Sequence, residues 1–202
     1  NFNLKSGAGQ TEVAKNYAGN GLTMLVVCGV IITAVTLGFL TPLMHIFGAT
    51  EEVLPYAIDY TGITAIGVPF LTLTTGGCHL VRADRSPSFS MACMLTGAII
   101  NTILEPLFIF AFHWGIKGAA WATVLGQVVS GGMILIYFWK FSKMQLTRHH
   151  LMPHMKYLGE ITALGMASGI NQVAMAIIQI TMNNILRKYG AVSDYGADIP
   201  IA

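Results

Sequence analysis

Long apolar runs separated by short polar breaks dominate the sequence. Five runs reach membrane length, at about 18 to 40, 53 to 80, 88 to 112, 116 to 139 and 157 to 186. At about 1.5 Å per residue each can cross a hydrocarbon layer about 30 Å thick as a helix. The breaks carry the expected punctuation. Thr41-Pro42 closes the first run, and Thr50 is placed to cap the second, with Glu51 and Glu52 at the positive end of its helix dipole. Arg82, Asp84, Arg85 and Ser86-Pro87 form a polar loop, His113 to Lys117 a short turn, and residues 140 to 156 a basic linker. Residues 1 to 17 are polar and glycine-bearing, and read as a loop leading into a helical turn. Inside the second run Pro69 removes a backbone donor and predicts a kink. The fold class is therefore all-α, a polytopic membrane helix bundle.

Composition strengthens this picture. The chain is 54% hydrophobic and 10% charged, against about 25% charged for a soluble domain. A net charge of +2 gives no argument for binding nucleic acid. Cys28, Cys78 and Cys93 lie in or at the ends of apolar runs without CxxC spacing, and read as small buried residues. His149, His150 and His154 sit in the basic linker with no acid or cysteine beside them in sequence, which favours an anchor on anionic lipid over a metal site. No HExxH, paired catalytic aspartate, or Ser with His shares a span, so an enzyme is not expected. Alternating the connections across the membrane puts eight Lys and Arg on one side and three on the other. The positive-inside rule then places the N-terminal end in the cytoplasm. The odd number of spans, the start at Asn1 and the end at IPIA predict a piece of a larger bundle.

Candidate chemistry gathers at residues 97 to 127. Glu105 lies in a segment otherwise apolar enough for hydrocarbon, where an acidic residue costs about 2.5 to 3.5 kcal/mol and marks a functional site. Asn101 is one helical turn before it, on the same face. Thr123 and Gln127, again four apart, follow on the next run. An antiparallel hairpin turning at Trp114 puts Glu105 level with Thr123 and Asn101 level with Gln127. Such an oxygen-rich set around one carboxylate suits a proton or a small hard cation such as Na⁺. In the last run Asn171 and Gln172 are positioned either to face a cavity or to bond across helices.

The segments LMHIFGATEEVLPYAIDYTGITAIGVPF, NTILEPLFIF and GIKGAAWATVLGQ, with Arg82-Ala83 between them, resemble the bacterial branch of the multidrug and toxic-compound extrusion (MATE) family. The resemblance runs over essentially the whole chain. It implies five of twelve helices in a two-lobe transporter: residues 1–148 as the third to sixth helices of the N-lobe, and 149–202 as linker and first helix of the C-lobe. It further implies a multi-pass protein of the bacterial inner membrane that exports cationic amphipathic drugs or toxins in exchange for H⁺ or Na⁺. No cofactor is expected, and the missing helices of the same chain are its partners, with the lipid bilayer. By motif match Asn101, Glu105 and Thr123 fall on the cation-coupling positions, while Gln127, Asn171 and Gln172 are candidates for further cavity residues by their own placement. Glu105 stands where many relatives carry Asp, which lengthens the ligand. A related lipid-linked oligosaccharide flippase is the first alternative, but it calls for cationic cavity residues, and no Lys or Arg lies deep in a span. A non-transporting membrane fragment is the second.

Overall fold

The computed structural model describes residues 11 to 142, 150, 152 and 154 to 190. Six α-helices follow in order: α1 (Thr11–Gly38), α2 (Leu40–Ile46), α3 (Leu54–Ala83), α4 (Pro87–Pro106), α5 (Gly115–Ile136) and α6 (Met155–Gly190). α4 and α5 each end in a π-helical turn, at Leu107–Ala111 and Tyr137–Phe141. Four helical segments are long and apolar enough to cross a membrane, and a fifth span is formed if the two parts of α6, Tyr157–Ala163 and Ser168–Leu186, are taken together across a 47° bend. The protein is a multi-pass membrane protein, and its spans fall where the apolar runs predict them.

Three boundaries differ from expectation. The chain does not leave the helix at Thr41-Pro42: α2 starts at Leu40, with Pro42 in its first turn, where no intrahelical N–H bond is needed. Thr50 is not the cap of α3. That position belongs to Val53, without a side-chain cap bond, and Pro55 lies in the first turn. The Thr50 carbonyl instead accepts the Leu54 N–H at 2.8 Å, and Glu51 and Glu52 sit exposed in the turn ahead of the helix. At the amino end, α1 already begins at Thr11, inside the stretch expected to be loop, while residues 1 to 10 lie outside the described residues.

α3 packs between α1 and α5, and α5 also packs along α4. Small residues make the α4–α5 approach possible. A Cβ on Gly126 would stand 2.8 Å from the Gly97 carbonyl, and one on Gly97 would meet Ser130 Oγ. On the opposite side of α3, Pro69 leaves the Ala65 carbonyl without its usual i+4 donor. Thr33 of α1 supplies one, its Oγ1 donating to Ala65 O at 2.8 Å. On α3 itself, the Thr72 hydroxyl lies between Pro69 O at 3.0 Å and Leu25 O of α1 at 3.1 Å, and can donate to either. Hydroxyls from both helices thus stitch α1 to α3 around the proline. Leu73, Val81, Cys93, Ile134 and Tyr137 fill the core nearer the linker end. Cys78 and Cys93 are buried, as their sequence setting implied, whereas Cys28 is only half-buried.

Candidate functional site

The α4–α5 hairpin brings the polar residues together, in a register different from the simple one. Asn101 Nδ2 donates to Thr123 Oγ1 at 3.2 Å, and its Cβ lies beside Gly126. Asn101 is therefore level with Thr123, and Glu105 lies about one turn nearer the hairpin loop. The cause is local. Pro106 has no N–H to continue the α pattern, and the helix goes on as a π turn in which Phe112 N bonds Leu107 O at 3.2 Å. A π turn takes up one extra residue, which supplies part of the four-residue slip of α4 relative to α5. His113, at φ 55°, then reverses the chain. Glu105 is half-buried, and among the described residues no hydrogen bond or ion pair falls to it.

Asn101, Thr123 and Gln127 line one cavity of about 250 Å³, together with Thr74 and Thr75 of α3 and Ser130 of α5. Its hydroxyl protons all point into the helices: Thr74 to Phe70 O, Thr75 to Leu71 O, Thr123 to Ala119 O and Ser130 to Cys93 O, at 2.8 to 3.0 Å. What these hydroxyls have left for the cavity is lone pairs. Asn101 spends one of its two amide N–H donors on Thr123 and keeps the other together with its carbonyl oxygen. Gln127 Oε1 is buried without a partner and is lodged against Gly67, whose missing side chain leaves the room. The mostly apolar wall of the cavity thus carries hydroxyl lone pairs beside the amide N–H groups that Asn101 and Gln127 retain.

Glu105 does not line this cavity. Asn171 and Gln172 do not either, being exposed on α6. Thr74, Thr75 and Ser130 were missed in the sequence reading. Ser130 extends the series Thr123, Gln127 at helical spacing and was open to detection, whereas Thr74 and Thr75 reach the cavity only through the packing of α3. Asp59 pairs with Lys117 at 3.2 Å between the N-terminal ends of α3 and α5. His150 does have an acid beside it, since α1 brings Glu12 Oε2 within 3.2 Å of its Nε2. His149 lies outside the described residues.

Comparison with known proteins agrees with the fold. The MatE family model matches residues 5–107. The multidrug export protein MepA of Staphylococcus haemolyticus (strain JCSC1435) is 32% identical over 173 residues, 84% of this chain and 38% of that protein. MepA of Staphylococcus aureus (strain N315) is 31% identical over 171 residues, 83% of this chain and 38% of the relative. The chain therefore spans well under half the length of these relatives. Among solved structures, a multidrug resistance MATE family transporter of the MOP superfamily in an inward-facing conformation superposes with a TM-score of 0.86 at 25% identity, over 98% of this chain and 45% of that one. A MOP superfamily transporter from Pyrococcus furiosus, described as having a binding pocket of reverse polarity, gives 0.79 at 28% identity over 92% and 41%.

Proposed function

Because this chain belongs to the MatE family, we propose that it is part of a secondary antiporter that exports cationic lipophilic compounds in exchange for inward H⁺ or Na⁺. Glu105, Asn101 and Thr123 form the coupling site, with Gln127 beside it. The protein lies in a bacterial inner membrane with the N-terminal end of this chain cytoplasmic, as the eight-to-three distribution of Lys and Arg favours. The observation that carries the reading is the hydrogen-bonded Asn101–Thr123 pair at the wall of a cavity that Gln127 also lines, one turn from a half-buried carboxylate.

A charge at Glu105 is costly in a membrane, and a proton or Na⁺ removes that cost. The ion is then a ligand with different affinities for two arrangements of the transporter, and it shifts their balance by that difference alone. The inward ion gradient drives export in this way. The flippase alternative is disfavoured because a pyrophosphate would need cations in the cavity, and no Lys or Arg lies deep in a span.

The test is efflux from pump-deficient bacteria carrying the intact parent gene, with a cationic dye and an anionic dye of similar size. Export of the cation alone, abolished either by removing Na⁺ or by collapsing the proton gradient, supports the reading and identifies the ion. Export of the anion, or export indifferent to both ions, refutes it.

A further inference from the structure

We infer that Gly67 of α3 keeps the side-chain carbonyl of Gln127 withdrawn from the coupling site, and so sets how tightly that site holds its ion. The inference rests on the coupling reading of Asn101, Glu105 and Thr123, and adds to it a positioning residue on a helix that carries none of the three.

Gln127 stands one turn from Thr123 on α5, and both line the cavity that Asn101 lines from α4. Its Oε1 is nonetheless turned to α3. The oxygen is buried, has no hydrogen-bond partner among the described residues, and takes the place where a Cβ on residue 67 would stand. Val124 Cγ2 lies 3.3 Å from the same point, so the oxygen is lodged against carbon. That is an unfavourable setting for a carbonyl. A buried acceptor without a donor has given up its hydration with no return, and such a group calls for a reason in a packed protein.

The packing of α3 holds the oxygen there. Gly67 is buried, and α3 has no room to draw back from it. On the far side Gly29 of α1 lies against the kink, with Pro69 Cα 2.7 Å from where a Cβ on residue 29 would stand. One turn along, Gly131 of α5 faces Phe70, whose Cβ and carbonyl oxygen each lie 3.2 Å from such a point. The backbone of α3 is thus gripped by both neighbours around Pro69, while Gln127 ends in a flexible amide.

A methyl group at residue 67 therefore moves the side chain and not the helix. The space open to the amide is the cavity, so Gly67→Ala turns the Gln127 oxygen toward the Asn101–Thr123 pair. One more oxygen ligand there favours a proton or Na⁺. Glycine at this position keeps that oxygen away, which leaves the site weak enough to release its ion after each crossing.

The test uses the intact parent protein in proteoliposomes as native, Gly67→Ala, Gln127→Met and the two combined. Gly62→Ala is the control on the same helix, since a Cβ there meets Leu40 at an ordinary 3.5 Å. Export of a fluorescent cation is titrated with Na⁺, with pH and with the dye. Gly67→Ala is expected to lower the half-maximal concentration of the coupling ion by about two- to thirtyfold, with the half-saturating dye concentration unchanged. In the Gln127→Met background the same change should do nothing, because no carbonyl is left to release. A response that is unchanged or weakened in Gly67→Ala overturns the inference, and so does a shift that survives Gln127→Met. Infrared difference spectra, with glutamine isotope-labelled at its side-chain carbonyl, follow Gln127 directly and need only native protein and Gln127→Met. The native band that Gln127→Met removes should lie at the frequency of an unbonded amide and stay there when the ion is added. A band that moves with the ion overturns the inference even where Gly67→Ala fails to fold. Native export indifferent to both ions refutes the coupling reading, and the inference falls with it; ion-dependent native export with Gly67→Ala unchanged refutes the inference alone.

Discussion

The stitch between Thr33 and Ala65 gives a prediction whose size follows from the structure. Pro69 strips the Ala65 carbonyl of its intrahelical donor, and Thr33 Oγ1 replaces it at 2.8 Å. Ala65 is 3% exposed, so the carbonyl has no water to fall back on. Thr33→Val keeps the shape and removes the donor. Hydrogen bonds between membrane helices are worth about 0.6 kcal/mol on average and up to about 1.7. The buried, short geometry places this one toward the upper value, at about 1 to 1.7 kcal/mol. Pro69→Ala returns an N–H to the helix, and in that background the hydroxyl is redundant. The same Thr33→Val change should then cost no more than about 0.3 kcal/mol, the margin within which independent sites add. The assay is reversible unfolding of the intact parent in mixed micelles for all four members of the cycle. Equal costs in the two backgrounds would refute the reasoning, because the Thr33 hydroxyl would then be serving some group other than the carbonyl freed by the proline.

Three further outcomes are expected. Gly97→Val forces a side chain onto Ser130 Oγ and the Gly126 carbonyl, and should destabilise by about 1 to 3 kcal/mol in the same unfolding assay. Gly132→Ala adds a methyl where no atom lies within 4 Å, and should stabilise α5 by about 0.5 to 1 kcal/mol through helix propensity. Asp59→Asn breaks an ion pair whose side chains are 43% and 57% exposed, and should cost less than about 1 kcal/mol and leave export unchanged, as read by unfolding and dye efflux.

The spans were legible because a run of apolar residues is a direct statement about solvent, and about twenty such residues admit few alternatives to a crossing helix. Helix ends were less legible. Pro42 and Pro55 sit in first turns, where proline is harmless, and a sequence reading that treats proline as a stop or looks for a side-chain cap misplaces both boundaries. The polar residues of the hairpin were found by their four-residue spacing, yet their register was not, in part since the π turn after Pro106 changes the number of residues per turn. That slip decides which residue meets Thr123. Asn20, Asp84 and Glu12 act on segments more than fifty residues away, and no local pattern announces such pairings.

The central claim is that Glu105 couples ion entry to export, and the most direct test replaces it with a neutral side chain of the same size. Efflux of a fluorescent cation is followed in pump-deficient bacteria expressing the intact parent protein, native or Glu105→Gln, with expression matched by immunoblot. Coupling at Glu105 predicts that native cells export the dye only with the driving ion present, and that Glu105→Gln cells retain it under every ion condition. Normal, ion-dependent export by Glu105→Gln would contradict the account and leave the carboxylate a structural residue of the hairpin.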